Sequence, residues 1–197
     1  MNIVTAVCLI IWIYLLTVLH RARLPFFKFL VGTVGLFIFM MIILQPVVTV
    51  PLSRLVAAGA GVIGDLTGIF RSYYQYSLIF IESGQSAISM YIDYECSGVI
   101  EIFALTALIW FFPLYSLPER AAVNIIGIIW IYAANILRLL VICLLVHFFG
   151  DDIYYFAHAI FGRIIFYGLS VVLYFNIFTK SQIIRQKVGR FSYDSDS

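Results

Sequence analysis

The chain has 197 residues, of which 63% are hydrophobic and 11% charged, with a formal net charge of +2 and a mean hydropathy of +1.06. Soluble domains carry about a quarter charged residues, so this composition excludes an ordinary soluble protein. So small a net charge gives no reason to expect a nucleic-acid partner. Several apolar runs reach the ~20 residues that a helix needs to cross a bilayer. We therefore predict an all-α polytopic membrane protein in contact with the lipid bilayer.

Five membrane-spanning helices are predicted. They cover about residues 3–19, 27–49, 97–112, 121–149 and 154–179. The first has no basic residue before it and no small-residue cleavage site after it, which is typical of an uncleaved anchor. Cys8 and Cys143 fall within apolar runs and are expected to behave as small hydrophobes.

The basic residues predict how these helices are oriented. Arg21, Arg23 and Lys28 follow the first span, Arg120 precedes the fourth, and the C-terminal tail is basic. The positive-inside rule places such residues in the cytoplasm. With five crossings, the N-terminus lies outside the cell and the C-terminus lies in the cytoplasm.

The segment between the second and third spans is then outside, and it has two halves. Residues 53–70 are predicted to form a helix at the membrane interface, with Arg54 and Asp65 in water. Its buried apolar residues would be Leu55, Val62, Leu66 and Ile69. The second half has two stretches rich in β-branched and aromatic residues around Ser83 and Gly84, which predicts a hairpin.

Ionisable side chains inside membrane helices are costly and usually face the protein interior. Arg138, His158 and Arg163 are such residues, and Cys96 opens the third predicted span. The inferred topology brings groups from three different helices to the same leaflet. Their shared depth predicts a common site, because unrelated residues would be scattered.

Cys96 is the candidate nucleophile of this site. A thiol in the first turn of a helix, close to an Arg or His cation, is expected to have a lowered pKa. Glu95 and Glu101 oppose that lowering unless they turn toward water or a basic partner. Ser97 and Gly98 are expected to leave the approach to the sulfur unobstructed and to help hold an oxyanion through their amides.

His158 is the candidate proton shuttle, because an imidazole suits a cysteine nucleophile near neutral pH. Arg138 is the candidate group that stabilises the oxyanion. Asn135 lies one helical turn before it and is expected to orient it. Arg163 is a supporting residue. Since nucleophile, acid and base are all side chains, we expect no metal and no organic cofactor.

A simpler explanation stays open for each of these residues. Cys96 alone would be an inert surface thiol. Arg138 would snorkel or pair with Glu101 or Asp93. His158 would be a hydrogen-bonded histidine at the interface. Arg163 would pair with an acid or a lipid phosphate.

Three motifs in order resemble the exosortase and archaeosortase family of membrane transpeptidases. They are YECSGVIE at 94–101, NILR at 135–138 and HAIFGRIIF at 158–166. The resemblance covers about residues 75–175, and the short chain looks most like the exosortase G branch of Gram-positive bacteria. In that family the matching cysteine, arginine and histidine are the proposed catalytic residues, which implies these roles for Cys96, Arg138 and His158.

The resemblance also implies a substrate class. The substrate would be the C-terminal sorting signal of a secreted protein, made of a short motif, an apolar helix and a basic tail. This signal would be cleaved at the outer membrane face, and the protein would be transferred to an unknown amine or hydroxyl acceptor. Other members often carry an arginine or isoleucine directly after C-S-G, where Val99 stands here.

The chain is accordingly divided into four parts. They are an N-terminal transmembrane hairpin (1–52), an extracytoplasmic interfacial segment (53–95), the catalytic transmembrane helices (96–180) and a cytoplasmic basic tail (181–197). Two other functions stay open. One is a non-catalytic membrane partner in surface polysaccharide or protein export, in which the polar residues form an interhelical hydrogen-bond network. The other is a transporter, for which Glu101 and Arg163 would be the residues to test.

Overall fold

A computed structural model of the protein describes residues 3–83 and 86–180, without the side chains of residues 82, 83, 86 and 87. The predicted cytoplasmic tail lies outside the described residues. Helices dominate the structure, and five of them are long and apolar enough to cross a membrane. The predicted all-α polytopic fold is confirmed.

Six apolar helices and one small sheet follow one another along the described residues. The helices are α1 (Ile3–Arg21), α2 (Pro25–Ile43), α3 (Gln45–Thr67), α4 (Val99–Phe111), α5 (Leu117–Phe149) and the last helix (Asp151–Lys180). The last helix contains two π-helical segments, Ala157–Phe161 and Phe175–Lys180. Between α3 and α4 lie β1 (Phe70–Tyr73), β2 (Leu78–Ser83) and β3 (Ser86–Tyr91), which form an antiparallel sheet in that order.

Two of the predicted spans differ from the observed helices. The span predicted over 27–49 ends at Ile43, because Pro46 has no N–H to continue the helical ladder and stands instead in the first turn of α3. The span predicted over 97–112 is reduced to the 13 residues of α4, which is about 20 Å of helix. The 23-residue α3 therefore replaces α4 among the five helices long enough to cross.

α3 also differs from the helix predicted over 53–70. It ends at Thr67, where Gly68 adopts a left-handed conformation with φ of 69°, a common helix terminator. Phe70 is therefore in a strand. The packed face of α3 carries small residues, namely Ser53, Val56, Ala57, Ala60, Gly61 and Gly64. Leu55, Val62 and Leu66, which the sequence predicts to be buried at the membrane interface, are exposed on the protein surface, so their burial in lipid stays a prediction.

The predicted hairpin is confirmed. β2 pairs with β3 from Leu78 opposite Tyr91 to Ser83 opposite Ser86, and residues 84 and 85 lie outside the described residues. One face of the sheet packs with α3 against the C-terminal half of α5. This cluster includes Phe70, Ile79, Ile81, Met90, Leu139, Ile142 and Val146.

The helical bundle has two ends, which α4 connects. The thiol end comprises the turn at residues 93–98, the sheet, the C-terminal half of α5 and the start of the last helix. The basic end comprises the α1–α2 turn with Arg23 and Lys28 and the α4–α5 turn with Arg120. Trp110 and Phe111, the last residues of α4, line a cavity with the cations of the basic end. α5 has 33 residues, about 50 Å of helix, so it exceeds a ~30 Å hydrocarbon core.

Candidate functional site

Cys96 lies in a turn that Asp93 organises. Oδ1 of Asp93 accepts hydrogen bonds from the backbone N–H groups of Glu95 and Cys96, both at 3.1 Å, as in an Asx turn. The hydroxyl of Ser97 donates to the carbonyl of Tyr94 at 3.1 Å. Since α4 begins only at Val99, Cys96 precedes the helix, and the predicted position in its first turn is wrong.

Gly98 brings this turn against α5. Its φ is 81°, a conformation that favours glycine, and a Cβ at this position would lie 2.7 Å from Nδ2 of Asn135. Asn135 therefore fills the space beside Gly98, while the open approach to the sulfur that Ser97 and Gly98 are expected to leave stays a prediction. Neither amide atom of the fully buried Asn135 has a hydrogen-bond partner among the described residues. It follows that Asn135 does not orient Arg138 through a hydrogen bond.

The structure brings Cys96, Arg138 and His158 into contact. The Cys96 Sγ lies 3.8 Å from Nε2 of His158 and 3.7 Å from Nη2 of Arg138, which donates toward the sulfur. The three side chains come from the turn before α4, from α5 and from the last helix. The sulfur is thus placed between an imidazole and a guanidinium, as expected from the shared depth of these residues.

Arg138 is held at this point by packing as well as by charge. It is only 4% exposed, and its guanidinium carbon lies 5.9 Å from the centroid of the Phe166 ring, within the range of a cation–π contact. Among the described residues, no ion pair joins it to Glu101 or Asp93, which were the partners of the simpler explanation. Phe166, from the last helix, therefore packs against the guanidinium and helps to hold it in place.

His158 lies in the π-helical segment Ala157–Phe161. Segments of this kind are frequent at functional sites. The Tyr154 ring stacks on the imidazole, with centroids 5.7 Å apart and planes inclined by 12°. This contact is not among the sequence predictions, although the spacing of four residues on a helix is the pattern that brings such rings together. Tyr154 fixes the imidazole plane so that Nε2 faces the sulfur.

Arg163 and Glu101 do not contact the sulfur. Arg163 forms a salt bridge with Glu95 at 3.5 Å, and both side chains are about half exposed. This pair joins the turn to the last helix and agrees with the simpler explanation that Arg163 pairs with an acid. Oε2 of Glu101, in the first turn of α4, is buried without a hydrogen-bond partner among the described residues.

Burial raises the pKa of the Cys96 thiol to about 11. The Arg138 guanidinium lowers this pKa, while the carboxylates of Asp93 and Glu95 raise it. The predicted lowering is therefore wrong, because the desolvation of a side chain that is only 4% exposed outweighs the nearby cation. At neutral pH the resting group is the neutral thiol, so a base must remove its proton when the sulfur reacts.

No group of three or more His, Cys, Asp and Glu side chains in residues 3–83 and 86–180 is placed to hold a metal ion. Residues 2–175 match the family model described as transmembrane exosortase. The match includes the sheet and every residue of the Cys96, Arg138 and His158 contact. Neither the curated proteins nor the solved structures give a match.

Proposed function

Because the chain belongs to the transmembrane exosortase family, we propose that it is a membrane cysteine peptidase or transpeptidase. It cleaves the C-terminal sorting signals of secreted proteins and transfers the proteins to an amine or hydroxyl acceptor. The observation that carries this proposal is the contact of one sulfur with both an imidazole and a guanidinium, at 3.8 and 3.7 Å. A nucleophile, a proton shuttle and an oxyanion partner are what acyl transfer through a cysteine requires.

In the first half of the reaction, Nε2 of His158 takes the proton from the Cys96 thiol as the sulfur attacks the scissile carbonyl carbon. Nδ1 carries the other ring hydrogen at this stage. The carbonyl oxygen becomes an oxyanion, which Arg138 stabilises. The C–N bond then breaks, and the leaving amine takes the proton from His158. A thioester between the substrate and Cys96 results.

In the second half, the hydroxyl or amine acceptor attacks the thioester carbon and gives its proton to His158. The bond between carbon and sulfur breaks, and the sulfur recovers a proton from the imidazolium. Water in place of the acceptor would give hydrolysis by the same steps. The always-charged guanidinium of Arg138 serves both tetrahedral intermediates, and its burial strengthens that electrostatic contribution.

Asn135 supports this chemistry in a different way from that expected. Its amide is buried without a partner beside Gly98, and a buried polar group without a partner is costly. We infer that the Nδ2 amide group becomes a second donor when substrate occupies the site. Ser97 has a structural role, because its hydroxyl holds the turn through the Tyr94 carbonyl.

We place the thiol end outside the cell and the basic end in the cytoplasm, with the N-terminus outside and residues 181–197 as a cytoplasmic tail. In this orientation α1, α2, α4, α5 and the last helix cross the membrane, while α3, although long enough to cross, lies with the sheet at the outer side. The support is the position of Arg23 and Lys28 at the other end of α4 from Cys96, together with the positive-inside rule. In this orientation residues 96–180 are the catalytic part, and the sheet within 53–95 covers it on the outer side. The α3 helix runs through the boundary proposed between residues 52 and 53.

The proposal is tested with a secreted reporter that carries, at its C-terminus, a sorting signal of the expected type from the same genome. Cells that express the wild-type chain should process the reporter. Cys96→Ala should leave it unprocessed, and full processing by this variant would refute the proposal. Cys8→Ala and Cys143→Ala are the matched controls, because Cys8 lies exposed on α1 and Cys143 is buried in the apolar cluster under the sheet.

Cys96→Ser separates this proposal from a non-catalytic membrane partner. The serine is close to the cysteine in size, although more polar, and is a far weaker nucleophile. We expect Cys96→Ser to accumulate in the membrane as the wild type does and to lose processing. If export of the reporter needs the chain but is unchanged by Cys96→Ser, the function is that of an assembly partner.

A further inference from the structure

A cavity of about 520 Å³ opens at the basic end of the molecule, remote from the contact of Cys96 with His158 and Arg138. Its polar lining comes from His20, Arg23, Lys28 and Arg120, and its apolar lining includes Phe29 and Trp110. The full length of α4 separates it from the thiol, about 20 Å of helix. The proposed reaction makes no use of this cavity.

The cavity concentrates positive charge without acidic compensation. A neighbouring cavity of about 370 Å³ shares His20 and Lys28 and adds Arg21. Within residues 3–83 and 86–180, no Asp or Glu side chain lines either cavity. Nζ of Lys28 lies 3.4 Å from Nδ1 of His20. This imidazole can accept a hydrogen bond from the ammonium, but it does not neutralise the positive charge of Lys28. Clustered like charges repel, and a bound anion would relieve that repulsion.

The three Arg and Lys side chains of the cavity differ in what they bind. One is hydrogen-bonded to the protein backbone, and two are available to bind an anion. Arg120 donates to the backbone carbonyls of Trp110, Phe112 and Tyr115, so its guanidinium fixes the α4–α5 turn. Arg23 and Lys28 have no acidic partner among the described residues. Arg23 has a φ of 53° because α1 ends in a Schellman cap, in which the N–H of Arg23 donates to the carbonyl of His20 and the N–H of Leu24 donates to the carbonyl of Leu19, both at 3.2 Å.

The apolar part of the lining indicates an amphiphilic ligand. Trp110 and Phe29 stand beside the cations, and the adjoining α1 has no buried residue. A lipid that places its phosphate between the cations would lay its acyl chains along this open apolar surface. Arg and Lys are the usual phosphate-binding side chains, and basic pockets between membrane helices are known to hold anionic headgroups.

We propose that this cavity binds the phosphate headgroup of an anionic phospholipid, with Arg23 and Lys28 as its principal ligands. The site is independent of the proposed transpeptidase activity. It would fix the α1–α2 hairpin against α4 at the membrane surface, where water and lipid compete for the same cations.

Native mass spectrometry of the full chain in detergent tests this proposal. The protein is equilibrated with equal amounts of phosphatidylglycerol and phosphatidylcholine that have the same acyl chains, and the bound lipids are counted. We expect the wild type to prefer phosphatidylglycerol on the order of tenfold, and Arg23→Gln with Lys28→Gln to reduce this preference to about twofold or less. Unchanged thermal unfolding of the double variant shows that its fold is intact.

Arg54→Gln with Arg71→Gln is the matched control, because it removes the same charge from exposed positions on α3 and β1. This control should keep the wild-type preference. The proposal is overturned if the wild type shows no preference, or if the control loses it as fully as the cavity variant does. A third arm adds millimolar inorganic phosphate. Displacement of the lipid by phosphate at that concentration would show that the site takes a soluble phosphate compound and would overturn the assignment to lipid.

Discussion

The two ends of the helical bundle hold their cations in opposite ways. At the thiol end, Arg138 is buried, lies over Phe166 and donates toward a single sulfur. At the basic end, Arg23 and Lys28 line open cavities without acidic partners among the described residues. A buried charge must be held by packing from several elements, whereas a charge at the membrane surface can be matched by water or lipid. We therefore expect substitutions at the thiol end to cause large losses of processing that depend on which residue is introduced. At the basic end, the effect of a substitution should depend mainly on how much positive charge it removes.

The largest effect that tests this comparison is expected at Arg138. Arg138→Gln should lower the rate of reporter processing by about 10²- to 10³-fold, the usual loss when an oxyanion partner is removed. Arg138→Lys should rescue little, because an ammonium neither spans the same geometry nor stacks on Phe166 in the same way. Processing is followed by the appearance of the cleaved reporter.

Arg120→Lys is the corresponding substitution at the basic end. It also exchanges a guanidinium that donates to protein atoms, but it lies far from the thiol. If Arg120→Lys and Arg138→Lys lower processing equally at equal protein levels, the contrast between the two ends is lost.

The close approach of Gly98 to Asn135 gives the next largest effect. Gly98→Ala would place a Cβ 2.7 Å from the amide nitrogen and force alanine to a φ of 81°. Both effects destabilise, and together they should lower the free energy of unfolding by about 1–3 kcal/mol. Thermal unfolding in detergent measures this change. Gly68→Ala is the control, because its φ is 69° but nothing lies within 4 Å of its Cβ, so the difference between the two variants isolates the contact with Asn135.

The ionisation of Cys96 gives a smaller and graded effect. The Cys96 thiol has a pKa of about 11, so its thiolate fraction rises about tenfold per pH unit between pH 7 and pH 10. The rate of its alkylation by a small maleimide should therefore rise about tenfold per pH unit over this range, without a plateau. Asp93 raises this pKa. Asp93→Asn, which keeps an acceptor oxygen for the turn, should therefore lower the pKa and speed alkylation at pH 8. Arg138→Gln should slow it, because the guanidinium lowers the same pKa.

A plateau of the alkylation rate near pH 8 would contradict the buried thiol described here. Cys96 must be the only reactive cysteine in this measurement, so it is made in a chain that carries Cys8→Ala and Cys143→Ala. The chain without Cys96 gives the background rate.

The smallest effect is expected at the salt bridge between Arg163 and Glu95. Both side chains are about half exposed, and such pairs contribute at most about 1 kcal/mol. Arg163→Gln should change thermal stability only slightly and should lower processing by no more than several-fold. A loss comparable with that of Arg138→Gln would make Arg163 part of the reaction site.

The sequence predicts the site better than it predicts the helices around it. Arg138 and His158 stand out because ionisable groups are costly within apolar helices, and the match over residues 2–175 confirms the family resemblance, while the exosortase G branch stays a prediction. The hairpin is predictable because two stretches rich in β-branched and aromatic residues lie on either side of Ser83 and Gly84. The start of α3 is not predictable from the sequence, because residues 45–52 continue the apolar run of α2 and Pro46 marks the break between the two helices.

The properties that the sequence does not predict depend on tertiary packing. The raised pKa of Cys96 comes from desolvation by neighbours distant in the chain. The contact of Gly98 with Asn135 likewise needs two segments more than thirty positions apart in sequence. The amino-acid composition of the turn at residues 93–98 does not indicate these contacts, and neither does its position directly before α4.

The π-helical segment at Ala157–Phe161 determines where the last helix tolerates a change of length. Such a segment accommodates one more residue than a regular α-helical turn. Deleting Ile160 would therefore restore an ordinary winding and leave the residues after it close to their present angular positions, so Phe166 would stay beside the guanidinium. Deleting Ile164, in the regular part of the helix, would instead rotate Phe166 by about 100° relative to His158 and would separate the two contributions of this helix to the site.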